Sequence, residues 1–184
     1  MSTEFDPLRL DVQAFARAGA TVAAHETLSK YERVMHESQG DGSELPLTWT
    51  AHGDWREPEG VPPQAWLHLE ATGSVPVTCQ RCLTRLDAPV VVNGWFRFVA
   101  DEAAAEAEDD DCEEDLLVTS RTFDLRALVE DELLLTLPMV PMHQICPVAV
   151  KLEVRDADFV DDTAPENNPF AKLAGLKKDR KSVV

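Results

Sequence analysis

The sequence predicts one α+β domain: a mostly antiparallel, twisted sheet or small open barrel with one main buried helix at 124–136. An acidic disordered loop at 101–115 and a basic C-terminal tail complete it. Three observations predict this. Alternating or β-branched and aromatic stretches crowd residues 20–99. One later stretch has a helical period with an N-cap and a proline stop. Charge, finally, is distributed in blocks rather than evenly. With 184 residues, 44% of them hydrophobic, the chain supports one core, assigned to 1–156, and a linker and tail at 157–184.

Taken in order, residues 10–17 read as a short helix stopped by Gly19, and 29–34 as one further turn. Strand character follows in ATVAAHETL, LPLTWTAHGDW, QAWLHLEATG, SVPVTCQ and APVVVNGWFRFVA. Gly40, Gly42, Gly53, the GVPP run at 60–63 and Gly73 are the turn signals between them. In 101–115, DEAAAEAEDDDCEED, ten of fifteen residues are Asp or Glu, so self-repulsion predicts a disordered loop. The helix DLRALVEDELLLT then has Asp124 as N-cap and Pro138 beyond its end. Leu125, Leu128, Val129 and Leu133 form its buried stripe, Leu134, Leu135 and Leu137 extend the apolar end, and Glu130, Asp131 and Glu132 face or border water. PMVPMHQICP has three prolines and no period, which predicts an extended, ordered loop. DADFVDDTAPENNPF reads as a linker, and FAKLAGL as a short amphipathic helix with Phe170, Leu173 and Leu176 on one side.

Seventeen Lys and Arg against 34 Asp and Glu give a net charge of −17. That balance excludes a phosphate-binding face spread over the whole surface, because nucleic-acid binding starts from cations that displace counterions. Any such contact falls to Lys172, Lys177, Lys178, Arg180 and Lys181, which face only Asp179 in the tail. No run approaches the ~18 apolar residues of a membrane span, and MSTEFDPLRL lacks the pattern of a signal peptide. The expectation is a soluble, cytoplasmic protein with no membrane partner.

Four cysteines in a cytosolic chain point away from a disulfide framework. Cys79 and Cys82 form a CxxC, and His143 and Cys146 an HxxC some sixty residues on. Three thiolates and an imidazole can hold zinc tetrahedrally, which would staple the sheet to the loop after the helix. The alternative is that these are buried or turn thiols with no metal. A redox CxxC belongs at a helix N-terminus, whereas this one sits between strands. Cys112, among carboxylates, makes a poor nucleophile. GxSxG, HExxH and GxGxxG are absent, and His25, His36, His52 and His68 fall singly, so no catalytic residue and no small-molecule substrate is predicted. A zinc- or thiol-dependent enzyme built on the four ligands is the rival. For partners, Leu135, Leu137, Met139 and Met142 offer an apolar docking face, and Phe170, Leu173 and Leu176 a second.

The strand leading to CQRCL, then FDLRALVEDELLLTLPMVPMH, then Cys146, and finally NPFAKLAGLKK occur in one order. Together they resemble the YceD family, the large ribosomal RNA subunit accumulation proteins. The resemblance implies a non-catalytic role in the synthesis, processing or stability of large-subunit ribosomal RNA. It also implies ribosomal protein or pre-ribosomal particles as partners, and any metal as a staple of the fold. An acidic body suits a basic ribosomal protein. The other reading is direct RNA binding, or partnership with a ribonuclease, through the basic tail.

Overall fold

An amphipathic strand needs one face covered, and short helices before the first strand and after the last supply the cover. In the computed structural model, which describes residues 5–149 and Asp158, the elements run α1 (Val12–Arg17), β1 (Thr21–Thr27), α2 (Glu32–Glu37), β2 (Pro46–Arg56), β3 (Gln64–Thr78), β4 (Arg85–Val99), α3 (Glu102–Glu108), β5 (Asp115–Val118) and α4 (Leu125–Thr136). One five-stranded sheet has the order β1-β2-β3-β4-β5 and does not close. The first four strands pair antiparallel as a meander, and β5 lies parallel to β4 after a crossover through α3.

The inward positions, Leu47, Trp49 and Ala51 on β2, Leu67 and Leu69 on β3 and Val90, Val92 and Phe96 on β4, are buried. They form one core with Val12 and Phe15 of α1 and Leu125, Val129 and Leu133 of α4. Both helices thus cover one face of the sheet. Asp124 caps α4 as expected, its Oδ1 accepting from Ala127 N at 2.9 Å. Leu10 and Phe123 exchange backbone hydrogen bonds of 2.8 and 2.9 Å, which ties the first segment to the start of α4.

Three expectations are corrected. QAWLHLEATG and SVPVTCQ form one strand, β3, because Gly73 is a strand residue paired with Leu47 and Val90. A Cβ there would lie 3.0 Å from Leu47 Cδ1, so Gly73 permits close strand approach and makes no turn. Gly53, also expected as a turn, is inside β2. The acidic stretch 101–115, expected as a disordered loop, instead forms α3, a short 3₁₀ turn and the start of β5. Asp101 caps α3 through Ala104 N at 2.9 Å, and four alanines favour the helix. Repulsion is offset by Arg97, a buried residue whose guanidinium pairs with Glu108 at 2.5 Å and Glu114 at 2.6 Å.

Candidate metal centre

The turn between β3 and β4 carries the CxxC. Its backbone is closed by Cys79 N donating to Thr84 O and Leu83 N donating to Cys79 O, both at 2.9 Å. Leu83 adopts φ +58°, a conformation that costs a non-glycine residue about 1–3 kcal/mol and that the turn imposes so as to bring both sulfurs to one side. The loop after α4 lies against this turn. Gln80 N donates to Pro141 O at 2.8 Å, and His143 N donates to Cys79 Sγ at 3.4 Å.

Those contacts bring Cys79, Cys82, His143 and Cys146 together, with ligating atoms all within 4.8 Å of one another. His143 Nδ1 lies 3.5 Å from Cys82 Sγ, and the Thr84 hydroxyl lies 3.2 Å from the same sulfur. Cys79 is buried and the other three are half-buried. An ion with metal–sulfur distances of about 2.3 Å sets tetrahedral ligands roughly 3.8 Å apart. The group therefore fits a metal ion with only a small contraction, and three sulfurs with one imidazole are a donor set that zinc accepts.

The electrostatics favour the thiolate form at two of the four donors, Cys79 and Cys82. Burial alone would raise the Cys79 thiol, but N–H groups of His143, Cys82 and Arg81 aimed at its sulfur outweigh it and hold the value at about 5. Cys82 is lowered, first by the Thr84 hydroxyl. His143 is raised, chiefly by the Cys79 sulfur beside it. Burial, with the Cys82 sulfur next, raises Cys146. The centre collects negative charge on sulfur and favours a cation among it.

Exposed apolar side chains lie close in sequence to these residues. Met139 is 99% exposed and Leu135 78%, and Met142 is also exposed. Leu137, expected on the same docking face, is instead half-buried against the core because it follows the last turn of α4 inward. The sequence reading missed Leu83, Val140, Ile145 and Val148, all exposed. Cys112 lies apart from the centre, with its Sγ donating to Glu114 O at 3.3 Å. Phe170, Lys172, Leu173, Leu176, Lys177, Lys178, Arg180 and Lys181 lie outside the described residues. No helix among the described residues is long and apolar enough to cross a membrane.

A family model described as large ribosomal RNA subunit accumulation protein YceD matches residues 67–177, a span that takes in all four candidate ligands. A curated protein named large ribosomal RNA subunit accumulation protein YceD, from Haemophilus influenzae (strain ATCC 51907 / DSM 11121 / KW20 / Rd), is 46% identical over 57 residues. That alignment covers 30% of this chain and 32% of the relative, so the chain spans about a third of the length of the curated protein it matches. No solved structure matches the chain.

Proposed function

This chain belongs to the YceD family, the large ribosomal RNA subunit accumulation proteins, and we propose that it is a non-catalytic factor in ribosome biogenesis. On this reading it supports the synthesis, processing or stability of large-subunit ribosomal RNA by docking on a ribosomal protein or pre-ribosomal particle. The observation that carries the reading is the set of exposed apolar side chains that adjoin the Cys3His residues along the chain. Leu83, Met139, Val140, Met142 and Ile145 stand in solvent, where an isolated domain gains nothing from them.

The four ligands Cys79, Cys82, His143 and Cys146 would hold a structural zinc ion. When bound, zinc supplies a cross-link between the β3–β4 turn and the loop at 138–149. The chain's own residues do the rest. Thr84 and the N–H group of His143 orient the sulfurs, and Gln80 fixes Pro141 so that the methionines face outward. An excess of carboxylates on the body complements a basic partner and steers its approach.

The test has three parts. Sucrose-gradient profiles of cells with and without the protein are expected to show large subunits depleted in its absence and restored by the wild-type gene. The pair Met139→Asp and Met142→Asp is expected to keep the fold, fail to restore the profile and no longer co-sediment with pre-ribosomal particles. Full restoration by that double variant would overturn the docking assignment. The pair Cys79→Ser and Cys82→Ser separates a staple from an enzyme: a staple loses zinc and stability yet works when overproduced at low temperature, whereas a zinc or thiol enzyme does not.

A further inference from the structure

The sheet face turned away from α1 and α4 carries a second constellation that the docking role leaves unused. Outward positions of β2, β3 and β4 place Arg56, Trp66, His68, Asn93 and Trp95 side by side. The Arg56 guanidinium lies 3.9 Å from the centre of the Trp66 ring and 4.4 Å from that of Trp95. His68 stacks on Trp95 with ring centres 4.5 Å apart and planes within 25°. Its Nε2 is 2.9 Å from Asn93 Oδ1. Trp95 remains 37% exposed. His52, His68 and Trp95 fall in one register across three strands.

Shape and charge single out the same face. A depression of about 460 Å³ is lined by Arg56, Trp66, Asn93 and Trp95 from the sheet and by Glu113, Glu114 and Asp115 from the segment that leads into β5. A second, of about 290 Å³ over Thr48, Thr50, Thr72 and Val91, meets it at Asn93. In a chain with 34 carboxylates, the outward positions of β1 to β4 hold only Asp54, Glu70 and Asp87. Asp54 is paired with Arg56 at 2.7 Å and Asp87 with Arg85 at 2.8 Å. The remaining outward side chains of β1 and β2 are mainly threonine and histidine.

Planar rings and a guanidinium stacked on an open sheet, edged by amide and hydroxyl groups, match the chemistry of unpaired nucleobases, whose faces stack and whose edges hydrogen-bond. A protein partner of aliphatic character is served elsewhere, by the residues around Met139. Duplex RNA needs a rail of cations for its phosphates, and this face lacks one because Arg56, Arg85 and Arg97 are each already paired with carboxylates.

We infer that the outward sheet face is a stacking platform for single-stranded RNA, with bases taken against Trp95 and His68 and Asn93 at their edge. That the RNA is ribosomal rests on the reading under Proposed function. Because binding relies on ring planes rather than on phosphate contacts, it has a shallow dependence on salt. A grip by the tail lysines would have a steep one.

The test uses the full purified chain and a labelled ten-nucleotide single-stranded RNA of mixed sequence. Anisotropy and tryptophan quenching are read between 50 and 200 mM salt, conditions spanning a range where phosphate-dominated binding collapses. Trp95→Ala is expected to weaken binding roughly tenfold or more. Trp95→Phe keeps a ring and the fold, and is expected to retain most of the affinity. A ten-base-pair duplex is expected to bind far less. The inference is overturned if the wild-type chain fails to bind, if the duplex binds equally, or if Trp95→Ala binds as wild type. A large-subunit defect in cells lacking the protein, together with no RNA binding by the purified chain, overturns this inference and leaves the docking role standing. A normal cellular profile removes the docking role, while the oligonucleotide measurement still decides the inference.

Discussion

Tyr31 is fully buried with a hydroxyl to satisfy, and it sits in a chain of polar groups inside the core. Trp49 Nε1 donates to its oxygen at 2.8 Å, and the hydroxyl donates in turn to Glu26 Oε2 at 3.0 Å. Lys30 and Arg126 reach the other oxygen of Glu26 at 3.1 and 3.2 Å. Tyr31→Phe removes the central link and strands a buried indole N–H, so it is expected to cost about 1–3 kcal/mol, read from urea midpoints. Burial tends to raise the Glu26 carboxyl, but Lys30, Tyr31 and Arg126 together hold it below its ordinary value of 4.5. The folded state therefore favours the charged form. Its contribution to stability is complete above pH 4.5 and disappears as pH falls through the lowered value. Glu26→Gln is expected to flatten that acid limb of a stability-versus-pH curve; an unchanged limb would assign it to other carboxylates. The network as a whole was not legible in ETLSKYERV, because beyond the local Glu26, Lys30 and Tyr31 it needs Trp49, 18 residues from Tyr31, and Arg126, 100 from Glu26.

The elements meet where side chains are missing. A Cβ at Gly53 would fall 2.7 Å from Phe15 Cδ1 and 2.8 Å from the Phe15 carbonyl oxygen, so α1 can lie on β2 only over a glycine. Gly53→Ala is expected to destabilise by about 1–3 kcal/mol, whereas Gly94→Ala, whose Cβ would meet the Phe96 ring at 3.6 Å, an ordinary van der Waals distance, is expected to be close to neutral. Thermal melts of the two variants distinguish the positions. Local spacing made Gly53 and Gly73 look like turns, since sequence alone does not tell a glycine that bends the chain from one that admits a neighbour. β2, β4 and α4 were legible because each repeats its period over ten residues or more, whereas β3 was read as two strands broken at Gly73. The order of the acidic stretch was not legible, because it depends on Arg97 from another strand. Replacing Arg97 with Met should leave Glu108 and Glu114 unpaired and open 101–115 to a glutamate-specific protease, with β1 to β3 still protected; equal cleavage of wild type and variant would refute that dependence.

For the molecule as a whole, the candidate centre is a join between the sheet and the loop that follows α4. Its four donors were legible as two short motifs, but their meeting was not, since it depends on the meander placing the β3–β4 turn beside the end of α4. The exposed Val140 and Ile145 were missed because a loop without a period gives no sign of which side chains face out. Adding zinc to metal-depleted protein is expected to bind one equivalent and raise the melting temperature. Chelation should then expose 138–149 to proteolysis while amide protection in β1 to β4 stays unchanged. A melting temperature indifferent to zinc would dismiss the staple.

The two halves of this join are 61 residues apart along the chain, Cys82 in the first and His143 in the second. During translation the meander and its two thiols emerge well before the imidazole and the last cysteine. The loop that bears Met139 and Met142 is anchored at both ends only when nearly all of the sheet has already been made. Its apolar surface is therefore presented in final form only after the sheet has been made, so under the proposed docking role a chain still building its sheet has no finished face with which to engage a particle prematurely.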